Sequence, residues 1–134
     1  MSKEHPNIKV LERLDLTNLE ASAEIIADDF IWHYYNPELL DLEGDYPGLS
    51  GLMNFFNKIG VLTGGSFKVD HIASCPLGDN LVVTLVEDTM ILEGKPMKIE
   101  AVVIWCIMNG KIKEAWDIPV IETATILESE HETS

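Results

Sequence analysis

Two aspartates interrupt segments that are otherwise largely apolar. Asp88 falls in LVVTLVEDTMIL (81–92) and Asp117 in KIKEAWDIPV (111–120). Burial disfavours the charged form of a carboxyl and raises its pKa into the range useful for proton transfer. A second carboxyl nearby pushes the two pKa values apart, which leaves one protonated donor and one ionised base. Such a pair would protonate a carbonyl while removing an adjacent proton, as an isomerisation or an aldol cyclisation requires.

The sequence leaves the orientation of both aspartates open. Side chains in a strand alternate between faces, so an inward Asp117 would have small Ala115 beside it and Trp116 turned outward. The alternative is that Asp117 merely caps the end of a strand. Both alternating sets of segment 81–92 are partly apolar, so the pattern permits Asp88 to lie inside or in water.

Hydrophobic spacing predicts two helices before the first strand. Apolar residues recur at helical spacing over 8–14. Thr17 and Glu20 have the spacing of a capping box, which predicts a second helix continuing through Ala27. The later segments predict an aromatic strand over 30–37, a short helix over 52–59 that stops at Gly60, and strands over 67–75, 81–92, 98–108 and 111–120. Tight turns between the last four strands predict an antiparallel meander.

One predicted strand indicates that both faces of the sheet are covered. Segment 101–108, AVVIWCIM, is apolar at odd and even positions alike. Helices would cover the inner face, and we expect a second copy of the chain on the outer face, giving a homodimer. Residues 1–121 are predicted to form one domain, followed by an acidic tail over 122–134.

The charge composition excludes several classes of partner. The 134 residues have a formal net charge of −14, and Arg13 is the single arginine. Nucleic acids, nucleotides and phosphorylated metabolites are therefore unlikely partners, because their anionic groups usually need arginine or lysine. A small apolar or neutral molecule fits better. No run is long and apolar enough for a membrane span, and the two cysteines, Cys75 and Cys106, are typical of a reducing cytoplasm.

No metal or cofactor is expected. Asp41, Glu43 and Asp45 lie in one loop, but that loop lacks the glycine position and terminal glutamate of an EF-hand, which favours a solvated rim. His33 alternates with Trp32 and Tyr34, and a hydrogen-bonded structural histidine is the preferred interpretation.

The order of the elements resembles the nuclear transport factor 2-like superfamily over residues 8–121. That resemblance implies an α+β fold, in which N-terminal helices pack on a curved, mostly antiparallel sheet and close it into a cone with a pocket. Two segments, ADDFIWHYYNP (27–37) and NGKIKEAWDIP (109–119), are similar to the SnoaL-like polyketide cyclase and limonene-epoxide-hydrolase branch. This superfamily includes enzymes, binding modules and targeting adaptors.

The resemblance to that branch implies roles for individual residues. In SnoaL-like cyclases an aspartate seven residues after a turn glycine acts as acid and base, and that count from Gly110 reaches Asp117. In the epoxide hydrolases a second aspartate corresponds to Asp88. Their arginine position is occupied here by Val86, and their water-holding tyrosine and asparagine by Trp32 and Tyr34, so epoxide hydrolysis by that mechanism is not implied.

The candidate site residues combine this resemblance with the alternation of side chains in the strands and the spacing on the short helix. Asp117 and Asp88 are the catalytic candidates, and the candidates for substrate binding are Trp32, Tyr34, Met53, Phe56, Val86, Ala101, Val103 and Ala115. For the aromatic residues and the helix positions 53 and 56, ordinary core packing is the alternative. The sequence thus favours a cofactor-free, cytoplasmic acid/base enzyme for a small apolar substrate. A non-catalytic binding protein of the same fold is the second hypothesis.

Overall fold

The computed structural model describes residues 5–127. Two α-helices, one 3-10 helix and six strands follow one another as α1 (Pro6–Glu12), the 3-10 helix (Leu19–Ile25), β1 (Ile26–Tyr34), β2 (Gly44–Pro47), α2 (Gly48–Leu62), β3 (Lys68–Leu77), β4 (Leu81–Leu92), β5 (Lys95–Met108) and β6 (Lys111–Ile126). No helix within this range is long and apolar enough to span a bilayer.

All six strands form one curved sheet in the order β2-β1-β6-β5-β4-β3. Strands β3 to β6 make the predicted antiparallel meander, and β1 joins it by parallel pairing with β6. Two-residue turns close two of the hairpins at Glu93-Gly94 and Asn109-Gly110, with φ of 54° and 80° in the first and 54° and 76° in the second. Positive φ at both positions gives the turn a twist that matches the sheet. The predicted α+β class with a mostly antiparallel sheet is confirmed.

The helices cover one face of the sheet, called the inner face below. Leu52, Phe55 and Ile59 are the buried residues of α2. The ring of Phe55 lies 5.5 Å from that of Trp32 and 4.8 Å from that of Tyr34, both on β1. These aromatic contacts fix α2 over one end of the sheet.

The predicted second helix is wrong in type and extent. Leu19–Ile25 is a 3-10 helix whose N-cap, Asn18, makes no side-chain cap hydrogen bond. The hydroxyl and the backbone N–H of Thr17 instead donate to Asp15, so no capping box forms. Strand β1 begins at Ile26, four residues earlier than predicted, because Ile26 pairs with Ile112 on β6 and is buried there.

Other boundaries also differ from the prediction, most of them by two to four residues. The loop after β1 contains a short strand, β2, which pairs with β1 and buries Tyr46. Helix α2 continues past Gly60 to Leu62. Strand β6 extends to Ile126, because after a register shift it pairs again with the start of β5. Residues 122–126 of the predicted acidic tail are therefore strand, whereas 128–134 lie outside the described residues.

Candidate functional site

Both aspartates lie on the inner face. Asp117 and Asp88 are each 8% exposed. On β6, Ala115 is also fully buried, while Trp116 is half-buried and Ile118 is exposed, which is the alternation expected for an inward Asp117. On β4 the residues buried with Asp88 are Val82, Thr84, Val86 and Met90. The inner-facing set of β4, which the sequence pattern left undecided, is therefore the set that contains Asp88.

The two carboxyls flank strand β5 on its opposite sides. Asp117 pairs with Val103 on β5 and with Tyr34 on β1. Asp88 pairs with Ile99, four residues further back on β5. Between these two positions on the same face lies Ala101, which is completely buried.

Burial, and not ion pairing, sets the electrostatics of these carboxyls. The Oδ1 atoms of Asp88 and Asp117 are buried and have no hydrogen-bond partner among residues 5–127. Burial raises the pKa of Asp88 to about 7, and the charge of Asp70 acts in the same direction. Burial raises the pKa of Asp117 well above its ordinary value, and the charge of Asp88 adds to this effect. Both shifts favour the protonated acid, and the shift of Asp88 brings its titration close to neutral pH.

Two hydrogen-bond donors on β1, Trp32 and Tyr34, lie on the same inner face as the two carboxyls. The Trp32 Nε1–H is buried without a partner in the described chain. The Tyr34 hydroxyl oxygen accepts a hydrogen bond of 2.9 Å from Asn36 Nδ2, which leaves its own proton for another acceptor. Burial raises the pKa of the Tyr34 phenol, so it stays a neutral donor. Two neutral donors beside a protonated acid suit an oxygen that develops negative charge.

Asn36 is a residue that the sequence analysis did not select. It is 5% exposed, and the backbone N–H of Glu38 donates to its Oδ1 at 2.9 Å. Its own backbone N–H donates to Glu43 at 3.0 Å. These contacts orient the amide so that its Nδ2 points at Tyr34. One sequence signal could have found Asn36. It follows Tyr34 by two residues, so alternation along the predicted strand 30–37 places it on the face of Trp32 and Tyr34.

Two cavities lie between the helices and the sheet. The larger, about 630 Å³, has a wall from the α1 region (Ile8, Leu11, Glu12, Leu14 and Leu16) and a floor from the sheet (Val69, His71, Ser74, Thr84, Val86 and Trp105). A second cavity of about 380 Å³ lies under the end of α2, where Phe56 and Phe67 line it. Leu16 and Val69 line both cavities, so the two are neighbours. Asp88 pairs with Val69, which lines both cavities, and lies two residues beyond Val86 on the same face. Neither Asp88 nor Asp117 itself lines either cavity.

The predicted substrate-binding residues are not all brought together. Val86 lines the larger cavity and Phe56 the smaller one. Three small or branched residues, Ala101, Val103 and Ala115, are buried on the inner face. Trp32 and Tyr34 are also buried there, packed under α2. Met53 is 39% exposed and lines neither cavity.

His33 lies on the opposite, outer face of the sheet. Its Nδ1 is 2.7 Å from Asp45 and its Nε2 is 2.5 Å from Glu114, and the ring stacks on Trp116 at 5.4 Å. Partial burial lowers the pKa of His33, but the hydrogen bonds to both carboxylates raise it more, so the net pKa lies above the ordinary value. This is the hydrogen-bonded structural histidine that the sequence indicated.

The described residues contain no group of three or more histidine, cysteine or acidic side chains that could hold a metal ion. His33 has two carboxylates as neighbours, but they bind opposite edges of the imidazole and do not converge on one point. In the acidic loop Asp45 pairs with His33 and Glu43 accepts from Asn36, so their contacts are within the protein.

No family model matches the chain, and no curated protein matches it. Solved structures do share its fold. Bal32a, from a soil-derived mobile gene cassette, superposes with a TM-score of 0.75 at 18% identity, covering 86% of this chain and 89% of that one. TerC, co-crystallized with polyporic acid, gives 0.73 at 19% identity over 87% and 93%. A nuclear transport factor 2-like protein of unknown function from Burkholderia pseudomallei gives 0.69 at 15% identity over 87% and 90%. The chain has the nuclear transport factor 2-like fold.

Proposed function

We propose that the protein is a cofactor-free acid/base enzyme of the SnoaL-like type that acts on a small, mostly apolar substrate containing a carbonyl group. The observation on which this depends is that Asp117 and Asp88 are both buried and that the Oδ1 atom of each has no hydrogen-bond partner in the described chain. An unpartnered carboxyl costs stability in a buried site, and perturbed pairs of this kind cluster at sites of proton transfer.

The two carboxyls take different roles because their pKa values differ. Asp88, with a pKa of about 7, is ionised in a large part of the molecules at neutral pH and acts as the base. It removes a proton from the carbon next to the carbonyl. Asp117, whose protonated form is favoured by burial and by the charge of Asp88, is the acid that donates its proton to the carbonyl oxygen. The resulting enol is the shared intermediate of an isomerisation and of an aldol-type cyclisation.

The neutral donors on β1 assist at the same oxygen. Trp32 Nε1–H and the Tyr34 hydroxyl face the inner side, and both are buried. Hydrogen bonds from positioned neutral donors stabilise developing charge most strongly where water is excluded. TerC was co-crystallized with polyporic acid, and its similarity to this chain supports a small-molecule ligand.

A non-catalytic binding protein is the second candidate function. Its support is that the larger cavity has mostly apolar walls and that its floor has Val86 where the epoxide hydrolases have an arginine. Such a protein would bind the same class of ligand without moving a proton. The two candidates therefore differ in proton exchange and not in binding.

The test uses 2-tetralone, a small ketone with acidic protons next to its carbonyl. In D₂O, NMR follows the loss of those protons with wild-type protein and with Asp88→Asn, Asp117→Asn and the exposed control Asp28→Asn. We expect wild type and Asp28→Asn to accelerate the exchange, and the other two variants to lose about 10²-fold or more of it.

Carboxyl ¹³C NMR provides a second readout that does not depend on the choice of ketone. The expected result is that Asp88 titrates near neutral pH and that the pKa of Asp117 lies well above the ordinary value of an aspartate. Ordinary aspartate titration at both positions contradicts the catalytic proposal. Titration as expected, with 2-tetralone bound but not exchanged by wild type, favours the binding protein.

We also propose that the protein is a cytoplasmic homodimer that associates through the outer face of the sheet. Seven apolar side chains lie there half-buried or exposed: Val83, Leu85, Val102, Ile104, Cys106, Trp116 and Ile118. Partly exposed apolar residues that adjoin one another on a sheet face are typical of an interface. Sedimentation velocity at micromolar concentration should give a dimer, and a monomer at that concentration contradicts the proposal.

A further inference from the structure

A chain of hydrogen-bonded side chains crosses three strands on the floor of the larger cavity. Trp105 Nε1 on β5 donates to Thr84 Oγ1 on β4 at 3.2 Å. The Thr84 hydroxyl lies 3.1 Å from Ser74 Oγ on β3, which lies 2.8 Å from His71 Nε2. All four side chains line the cavity. They are called the relay below.

A β-bulge places the last two residues of the relay together. The register of β3 with β4 shifts between His71 and Ala73, so that His71 pairs with Val86 and Ser74 with Thr84. Without the bulge, residues 71 and 74 would lie on opposite faces, because strand side chains alternate. The bulge brings both to the inner face, where Val86 and Thr84 already point.

Hydrogen-bond accounting shows that the relay has an unused position. An indole N–H only donates, so Thr84 must accept from Trp105. If Thr84 then donates to Ser74 and Ser74 to His71, each hydroxyl oxygen keeps one free acceptor position. If the hydrogen bonds run in the opposite direction, from His71 to Ser74 and from Ser74 to Thr84, the hydroxyl proton of Thr84 is free. In the first orientation the relay can accept a hydrogen bond from a ligand, and in the second it can donate one to a ligand oxygen.

The rest of the cavity restricts what that ligand is. Its walls are mostly apolar, and its volume of about 630 Å³ lies within the range of small-molecule sites. The described residues that line it include Glu12 but no lysine or arginine. An anionic ligand would therefore find no lysine or arginine to balance its charge. A ligand with no hydrogen-bonding group would make no use of the relay.

We propose that this cavity binds a neutral ring-containing alcohol or phenol, whose hydroxyl docks on Ser74 and Thr84. A hydroxyl both donates and accepts, so it matches either orientation of the relay. The inference deepens the proposed function and rests on it for the role of this cavity as the substrate site. It assigns to the substrate a second oxygen besides the one that Asp117 protonates.

The experiment compares two ring compounds that differ by one hydroxyl, 2-naphthol and naphthalene. Equilibrium dialysis near pH 8 gives Kd for both with wild type, Ser74→Ala, Thr84→Val and the control Ser50→Ala, whose serine is exposed on α2. We expect wild type and Ser50→Ala to bind 2-naphthol about fivefold more tightly than naphthalene. Both relay variants should lose that preference while keeping their affinity for naphthalene.

Three results overturn the inference: equal affinity of wild type for the two compounds, binding of neither, or a preference that survives both relay substitutions. Asp117→Asn separates this inference from the catalytic proposal, because it should keep the preference for 2-naphthol. Suppose that wild type prefers 2-naphthol and that both relay variants lose this preference, while 2-tetralone is bound without proton exchange. In that case the catalytic proposal is contradicted and this inference is not. Far-ultraviolet circular dichroism of each variant verifies that it is folded.

Discussion

Acidic residues on the two faces of strand β6 lie in opposite environments. Glu114 points outward, where it binds His33 and is partly exposed, so its charge has both a partner and water. Asp117, three residues further on, points inward and is buried with an unpartnered oxygen. The outer carboxylate stabilises the pairing of strands, whereas burial raises the pKa of the inner one and favours its protonated form. Position on the sheet, and not residue type, decides which role a carboxyl takes.

The largest expected effect concerns the inner carboxyls. The pKa of Asp88 in the folded protein, about 7, lies above its ordinary value of 3.8. The folded state therefore holds a proton that the unfolded state has released, and stability falls as pH rises through this window. Between about pH 4 and pH 7 the loss is on the order of 4 kcal/mol.

Urea unfolding at a series of pH values tests this prediction with wild type and Asp88→Asn. The substitution removes one of the two buried carboxyls with a raised pKa, so it should reduce the decline and make the variant the more stable protein near pH 8. Asp28→Asn, at an exposed position, should follow wild type. If the free energy of unfolding of wild type stays level or increases from pH 4 to pH 7, the pKa values of the inner carboxyls are not raised in the folded protein.

A smaller effect is expected on the apolar outer face. Ile118 is 37% exposed on β6, so Ile118→Glu should leave the fold of the single chain intact while placing charge in the proposed interface. We expect the dimer Kd to rise by about tenfold or more. Val61→Glu, at a 77% exposed position on α2, is the control that should not change it. Analytical ultracentrifugation over a concentration series measures both, and equal effects of the two variants would place the interface elsewhere.

The smallest effect belongs to His33. Its pKa is raised in the folded protein, so its charge contributes stability that is complete below 6.5 and is lost as pH rises through the folded value. Because Asp45 is mostly exposed, water screens the contact, and His33→Gln should cost at most about 1 kcal/mol near pH 6. Urea unfolding near pH 6 and pH 9 should show the difference shrinking at the higher pH. An equal cost at both would mean that the imidazole charge contributes nothing.

Local signals predicted the meander well. Asn109-Gly110 and Glu93-Gly94 demand tight turns, and the apolar runs between them have strand periodicity, so β4 to β6 were predictable from neighbouring residues. Ala115 and Trp116 fit the alternation that an inward Asp117 requires, but the sequence also allowed Asp117 to cap a strand end, and only the structure decided between the two.

The N-terminal segment was less predictable for a physical reason. Thr17 and Glu20 have capping-box spacing, but Thr17 bonds Asp15 instead, and Ile26 gains more by pairing with Ile112 on a strand more than eighty residues away. Long-range pairing thus overrides a local helix signal. The relay was invisible for a similar reason, because it depends on a bulge that moves Ser74 to the face of His71.

The sequence by itself determined the antiparallel meander, the acidic character of the chain and the types of residue available for chemistry. These follow from turn residues, period-two alternation and charge counts, all of which are local. Only the tertiary structure decided that Asp88 faces inward, that its pKa is about 7, and that Asp45 and Glu114 are paired while Asp117 is not. Burial and pairing are properties of neighbours supplied by other strands, and a carboxyl takes its charge state from those neighbours.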